Sequence, residues 1–213
     1  MKYNSEIINV YNLIAREYFI KRESMALVDE IKKLCSLVPL GGQILDAGCG
    51  NGRDAVLFAQ NGFNVVGVDL SEGQLQFAYR REKSPQLTFL KQDILHLNFP
   101  KEYFNGIWCC AVLSHLKKED VLEVLFSFKR ILANPGYVIA TFKKGMGESY
   151  VVEPEFNGIK RFTTFFNEDD IYSFAESSGF VITKMYTYNE RERFTKDNRD
   201  LDFIVTIMKK KFE

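Results

Sequence analysis

Two hydrophobic patterns alternate along the chain from residue 43 onward. Short and nearly continuous apolar runs predict buried strands at residues 43–47, 64–68, 87–91, 106–111 and 137–142. Segments with an apolar side chain every three or four positions predict helices at 53–60, 72–81, 117–132 and 167–178. Two closing strands are predicted at 181–188 and 201–209. This alternation is typical of an α/β fold in which helices cover both faces of a mostly parallel sheet.

The first forty residues predict a helical N-terminal cap. Apolar side chains recur at helical spacing from Ile7 to Tyr18 and again from Leu27 to Cys35, and Pro39 ends the pattern. No repeat or flexible linker interrupts the sequence, so we expect one domain over residues 1–213. Residues 143–166 carry several aromatic side chains, which could form a substrate lid or simply local core. Within this segment Arg161 could anchor an acidic group of a substrate.

Composition and charge narrow the classes of function. The 28 basic and 28 acidic side chains balance along the chain, which disfavours non-specific nucleic-acid binding without excluding an RNA substrate. Four cysteines without CxxC spacing and two histidines do not predict a structural zinc site, so we expect no metal. Free thiols, the lack of a signal peptide and the lack of a membrane-length apolar run predict a cytoplasmic protein without a membrane partner.

The clearest chemical signal is a glycine-rich turn after the first strand. The strand ends at Asp46-Ala47, and Gly48-Cys49-Gly50-Asn51-Gly52 follow before the next helix. Glycines at such a turn permit positive φ and let a ligand approach the backbone closely. A tight strand-to-helix connection would also need glycine, so the turn by itself leaves both interpretations open.

Acidic residues follow the next two strands. Asp69, before Leu70, ends the second strand and could accept hydrogen bonds from ribose hydroxyls, or it could cap the following helix. Asp93 follows the third strand and could accept from an adenine amine with Ile94 against the ring, or it could be an ordinary loop residue. Because the carboxyl ends of parallel strands meet at one edge of the sheet, we expect both to face the glycine turn.

In this order the three elements resemble the motifs of class I S-adenosylmethionine-dependent methyltransferases of the small-molecule type. The turn is similar to the family's first motif, E/D-x-G-x-G-x-G, at Asp46, Gly48, Gly50 and Gly52. The resemblance implies a three-layer Rossmann-like sandwich with seven strands, the last one antiparallel, and S-adenosyl-L-methionine as cofactor. It implies that Asp46 and the turn hold the amino-acid end of the cofactor. The implied cofactor-binding residues are Tyr11, Tyr18, Asp46, Gly48, Cys49, Gly50, Gly52, Asp69, Leu70, Asp93, Ile94 and Cys109.

Further segments extend the resemblance over nearly the whole chain. Residues 104–115 are similar to the family's fourth motif, although Asn105 stands where the family usually has Asp and should keep a turn hydrogen bond. Residues 10–18 resemble a helix that folds over the cofactor, so Tyr11 and Tyr18 are expected either to touch it or to form the seam of a plain amphipathic helix. A nicotinamide-dependent dehydrogenase is the main rival, but its fingerprint needs a third glycine where this chain has Arg53.

The resemblance implies an enzyme that transfers a methyl group to a nucleophile of a small molecule. Since His115 follows the fourth strand, it is the candidate general base, although a histidine packed at a helix start is the alternative. Residues 161–179 resemble part of the wobble-uridine tRNA methyltransferases, so a tRNA or protein acceptor remains a second hypothesis. A third is a module that binds S-adenosylmethionine without catalysis.

Overall fold

The architecture is a seven-stranded sheet with a separate two-stranded hairpin. A computed structural model describes residues 2–81, 83–194 and 199–212, apart from the side chains of residues 2–4. Its strands are β1 Gln43–Ala47, β2 Asn64–Asp69, β3 Leu87–Lys91, β4 Phe104–Cys109, β5 Leu132–Lys143, β6 Glu148–Glu153, β7 Ile159–Thr164, β8 Phe180–Asn189 and β9 Asp202–Lys210. The large sheet has the order β3-β2-β1-β4-β5-β9-β8. Strand β9 is antiparallel to both neighbours, while β3, β2, β1, β4 and β5 are mutually parallel. The predicted fold class is therefore confirmed.

Helices cover both faces of this sheet, and the first three helices precede its first strand in the chain. They are α1 Lys2–Leu13, α2 Ala15–Arg22, α3 Val28–Leu37, α4 Arg53–Gln60, α5 Glu72–Tyr79, α6 Lys118–Ile131, α7 Glu168–Ser177 and α8 Glu190–Arg193. The predicted helical segments all contain helices, with ends that differ by at most two residues after residue 50. Helix α7 begins with a capping box, in which Asn167 and Asp170 satisfy each other's backbone N–H groups.

Two hydrophobic clusters form the core, one on each face of the sheet. On one face, α6 and α7 pack Phe128 and Ile171 against strand residues. On the other, α3, α4 and α5 pack against Trp108 of β4, whose ring lies edge-on to Phe58 with centroids 5.6 Å apart. The indole N–H of Trp108 donates to Asp54 at 3.0 Å. This double coverage produces the three-layer arrangement and leaves the carboxyl ends of the strands open at one edge.

One connection differs from the sequence prediction. The strand after the helix at 117–132 was predicted to begin at residue 137, but β5 already begins at Leu132, which pairs with Phe104 beside a register shift in β4. Asn105, at that shift, accepts a hydrogen bond from the Gln43 N–H at 2.9 Å and so links the starts of two neighbouring strands. This bond joins two strands, and the turn hydrogen bond expected of Asn105 stays a prediction.

The segment 143–166 contains the hairpin of β6 and β7, which the hydrophobic pattern did not predict. Its buried positions include polar residues such as Arg161, Thr163 and Thr164, so the strand period of two is hidden. The Thr164 hydroxyl donates to the Leu116 carbonyl, which docks the hairpin on the loop after β4. Between β8 and β9, residues 195–198 lie outside the described residues. No helix among the described residues has both the length and the apolar character needed to cross a membrane.

Candidate functional site

A cavity of about 780 Å³ opens at the carboxyl ends of the central strands. It lies at the ends of the paired strands β1 and β4, where the strand order reverses, and open parallel sheets bind ligands at such a switch point. Nine sequence-predicted residues line it: Tyr11, Tyr18, Gly48, Gly50, Asp69, Leu70, Asp93, Ile94 and His115. The remaining lining residues are Ile7, Ile8, Ser71, Gln74, Gln92, Cys110, Ala111, Val112 and Leu116.

The glycine turn forms the floor of this cavity. Gly50 has φ +52° and Gly52 has φ +78°, values that favour glycine. An added Cβ on Gly50 would meet nothing closer than Gln74 Oε1 at 3.8 Å, whereas on Gly52 it would lie 2.5 Å from the Phe89 ring. Gly50 therefore leaves space on the cavity side, and Gly52 permits close packing beneath the turn.

Asp69 ties the turn to the end of the second strand. Its carboxylate accepts hydrogen bonds from the Gly50 N–H at 2.9 Å and the Ser71 N–H at 2.8 Å, one at each oxygen. Burial raises the pKa of Asp69, and backbone N–H groups, including those of Ser71 and Gly50, oppose the shift. A carboxylate has about four acceptor positions, so each oxygen can accept a further hydrogen bond from a ligand in the cavity. Helix α5 is capped by Ser71, whose hydroxyl accepts from Gln74 N–H.

Asp93 and Ile94 lie at the cavity wall beyond β3. Asp93 accepts a hydrogen bond from the Leu95 N–H at 3.0 Å and so caps a short 3-10 turn. Ile94 is largely buried and presents an apolar surface to the cavity. Asp93 therefore has a structural role in its loop and also lies where it could contact a ligand.

Gln74 is a lining residue that the sequence did not reveal. Its side chain is only 1% exposed, and neither its amide oxygen nor its amide nitrogen has a hydrogen-bond partner among the described residues. A buried polar group without a partner is costly, so a polar ligand is expected to complete it. The open space above Gly50, the carboxylate of Asp69 and this amide fit a nucleoside with an amino-acid tail.

Four predicted cofactor residues are not on the cavity lining. Gly52 and Cys49 lie within the turn, and Cys109 is fully buried in the core while its neighbour Cys110 reaches the cavity. Asp46 is also buried, and one of its carboxylate oxygens has no partner among the described residues. Burial and the nearby Asp54 raise the pKa of Asp46 well above its usual range.

A hydrogen-bonded chain crosses one wall of the cavity. Arg161 donates to the Tyr11 hydroxyl at 2.7 Å, and that hydroxyl lies 2.8 Å from Nε2 of His115. His115 Nδ1 is 3.2 Å from the Phe162 carbonyl, which can only accept, so the proton belongs on Nδ1 and Nε2 accepts from Tyr11. Burial, followed by the charges of Lys143 and Arg161, lowers the pKa of His115 well below its usual value. The imidazole is therefore neutral at physiological pH.

A second cavity of about 550 Å³ lies beyond this wall. The two cavities share the wall residues Tyr11, Tyr18, Cys110, Ala111 and His115. Ala111 has the unusual φ of +58°, and its N–H donates to the Thr141 hydroxyl at 2.8 Å. Strained backbone of this kind is often found at ligand sites.

Comparisons with known proteins agree with this geometry. The family model described as a methyltransferase domain matches residues 44–136, which contain the glycine turn and both strand-end acids. A Bacillus subtilis protein named as a methyltransferase, YqeM, is 38% identical over 105 residues, which cover 48% of this chain and 42% of that protein. The chain thus spans less than half of the length of that relative.

Two further matches span most of the chain. The ubiquinone biosynthesis O-methyltransferase of Rickettsia canadensis is 23% identical over 214 residues, covering 93% of this chain and 86% of that protein. The crystal structure of a SAM-dependent methyltransferase from Methanosarcina mazei superimposes with a TM-score of 0.74 at 19% identity, covering 84% of this chain and 96% of the other. The matches therefore show that residues 44–136 are similar to a methyltransferase domain, and that the fold of the chain is similar to that of SAM-dependent methyltransferases.

Proposed function

We propose that the protein methylates a small molecule that binds in the second cavity while the cofactor occupies the first. The observation that carries this proposal is that the two cavities share five lining residues and so adjoin each other. In the proposal they join at these residues, because a methyl group can pass between two ligands only where the ligands meet. The relative from Rickettsia canadensis, named for ubiquinone biosynthesis, supports an acceptor of small size. The balanced charge of the chain and its four free thiols support a small-molecule enzyme of the cytoplasm.

In this proposal different lining residues bind different parts of the cofactor. Asp69 accepts hydrogen bonds from the ribose hydroxyls, and Asp93 and Ile94 contact the adenine. The backbone at Gly48 and Gly50, together with the amide of Gln74, binds the amino-acid end. Direct contact by Asp46 is not part of the proposal, because its carboxyl is buried away from the cavity lining.

The chemistry needs alignment more than acid or base strength. When bound, the sulfonium cofactor supplies an electrophilic methyl group. The protein holds the acceptor atom in line with that group, and such orientation can contribute roughly 7–11 kcal/mol to catalysis. Tyr11 and Tyr18, on the wall between the cavities, exclude water from the transfer path.

His115 is the proposed proton acceptor for an N–H or O–H nucleophile. As the acceptor atom bonds to the methyl carbon, its proton passes to the Tyr11 oxygen and the Tyr11 proton passes to Nε2 of His115. The imidazole of His115 thereby becomes a cation and holds the proton that the acceptor has lost. An anionic nucleophile would not need this step, so His115 would then only position Tyr11.

The test is methyl transfer from cofactor labelled on the methyl group to pools of metabolites, tRNA and peptides. We expect label in the metabolite pool, and we expect His115→Gln to lower kcat more than it raises KM. The matched control is His96→Gln, which changes the exposed second histidine. Label in tRNA or peptide would overturn the small-molecule proposal, and cofactor binding without any transfer would identify a binding module.

A further inference from the structure

The second cavity contains an unusual concentration of positive charge. Its lining includes the cationic residues Arg22, Arg53, Lys143, Arg161 and Arg199. Because these come from five separate segments of the chain, no local sequence pattern reveals them. We call this cavity the basic cavity. It adjoins the proposed cofactor cavity, so a ligand bound in it lies beside the transfer path.

Several of the arginines already have carboxylate partners. Arg53 contacts Asp54 at 2.6 and 3.0 Å, Arg22 pairs with Glu155, and Arg199 pairs with Glu190. These pairs build the walls of the basic cavity. They do not by themselves indicate a ligand, since paired charges are structural in many proteins.

Lys143 and Arg161 are different, because one carboxylate serves both. Glu153 lies 2.6 Å from Arg161 but 3.9 Å from the Lys143 ammonium, whose nearest hydroxyl, on Thr163, is 3.4 Å away. Both cationic side chains are almost fully buried, with exposures of 3% for Arg161 and 4% for Lys143. The Nε atom of Arg161 has no hydrogen-bond partner among the described residues. Buried donors of this kind need an acceptor.

The charge of Lys143 is correspondingly disfavoured. Burial, followed by the charge of Arg161, lowers its pKa to about 8. Proximity to another anion would restore its ordinary protonation, because an opposite charge favours the charged form. Four carboxylates offset four of the five cationic charges, so Lys143 is the cation with the poorest compensation in the basic cavity.

The other lining residues indicate what kind of framework the ligand has. Besides the residues shared with the first cavity, the lining includes the apolar and aromatic side chains of Met25, Leu27, Tyr188, Phe194 and Phe203, and one carboxylate, that of Glu190, which pairs with Arg199. Such a surface fits an apolar or aromatic framework, while the cations fit a group at one end of it.

We propose that the methyl acceptor carries a carboxylate or phosphate group that binds Arg161 and Lys143 in the basic cavity. This inference rests on the proposed function, and it specifies the chemical class of the substrate. The guanidinium of Arg161, which lines the basic cavity, contacts the anion, and the Lys143 ammonium supplies a second charge. The apolar part of the acceptor then extends along Tyr188 and Phe203 toward the shared wall.

The test uses the full chain saturated with S-adenosylhomocysteine and three simple probes titrated by calorimetry. Benzoate and phenyl phosphate carry the two anionic groups, and benzamide is the neutral control. We expect at least one anion to bind about tenfold or more tightly than benzamide, because hydrogen bonds to charged groups are about twice as strong as neutral ones. The tighter of the two anions identifies the group.

Two variants locate the site. Lys143→Met removes the poorly paired ammonium while Glu153 keeps Arg161, so the fold should persist; Arg161→Gln with Glu153→Gln removes a buried pair together. We expect either change to reduce the preference for the anion about tenfold. The matched control is Lys117→Gln with Glu119→Gln, which removes an exposed pair and should have no effect.

The outcomes separate the two proposals. If S-adenosylhomocysteine binds but neither anion is preferred over benzamide, or if both variants keep the full preference, the inference is wrong while the proposed function stands. If S-adenosylhomocysteine itself does not bind, the proposed function fails, and this inference fails with it.

Discussion

Replacing Gly50 by alanine should mainly weaken cofactor binding, whereas replacing Gly52 by alanine should mainly lower the stability of the fold. At Gly50 the φ of +52° costs an alanine ~1–2 kcal/mol of stability, and no atom closer than 3.8 Å opposes the new methyl group. That methyl group enters the space proposed for the cofactor. We therefore expect Gly50→Ala to weaken binding of S-adenosylhomocysteine by about tenfold or more, as one unfavourable contact of ~1.4 kcal/mol would do.

At Gly52 the cost falls on the core. The new Cβ would lie 2.5 Å from Cζ and 2.9 Å from Cε1 of Phe89, a buried ring, so overpacking adds ~1–3 kcal/mol to the backbone strain. The total loss of unfolding free energy is then ~2–5 kcal/mol. Urea unfolding and calorimetric titration of both variants provide the assay. A Gly50→Ala protein that binds as tightly as the original, or a Gly52→Ala protein that is as stable as Gly50→Ala, would refute the reasoning.

Three other substitutions test single features of the fold. His115→Gln should make the free energy of unfolding less dependent on pH. Because the pKa of His115 is lowered in the folded protein, the unfolded chain binds a proton at a pH at which the folded chain does not. The original protein therefore loses up to ~1.4 kcal/mol of stability per pH unit as the pH falls below about 6.5, and the variant should not. Urea unfolding at several pH values measures this, and a free energy of unfolding that changes equally with pH in both proteins would contradict the prediction. Phe58→Ala should cost ~3–5 kcal/mol because its ring is fully buried against Trp108, whereas Phe126→Ala, at an exposed ring, should stay within about 0.5 kcal/mol; similar losses in chemical denaturation would argue against the packing described. Asn167→Ala should cost ~0.5–2 kcal/mol through loss of the α7 capping box, and unchanged thermal stability would show that the cap contributes nothing.

The sheet was predictable from sequence because its strands are buried on both faces. Such strands are nearly continuous apolar runs, as at Ile44-Leu45 and Val65-Val66, and the glycine turn marks the start of the next helix. The strand-end acid Asp69 could be placed at the cavity for the same reason, since the carboxyl ends of parallel strands meet at one edge.

The hairpin and the basic cavity could not be predicted in this way. The buried residues of β6 and β7 include Glu153 and Arg161, which pair with each other and also contact distant residues, Arg199 for Glu153 and Tyr11 for Arg161. Lys143 and Arg199 are 56 positions apart in sequence, yet they line the same space. Hydrophobic periodicity carries no information about such pairings.

Local errors at the site have a similar origin. The sequence predicted Cys109 at the cofactor, but β4 ends at this residue and the next one, Cys110, reaches the cavity. Because side chains alternate between the faces of a strand, an uncertainty of one residue in where a strand ends changes which side chain faces a ligand. Gln74 gave no signal because a glutamine in a helix is ordinary until its burial is known.

Calorimetric titration with S-adenosylhomocysteine, comparing the original protein with Asp69→Asn, tests the central claim most directly. We expect one molecule bound per chain, and a roughly 10- to 100-fold loss of affinity in Asp69→Asn, because hydrogen bonds to a charged group contribute ~1.5–3 kcal/mol. Asp29→Asn, at an exposed helix position, should bind like the original. Absence of binding to the original protein, or equal affinities with and without the Asp69 carboxylate, would contradict the account.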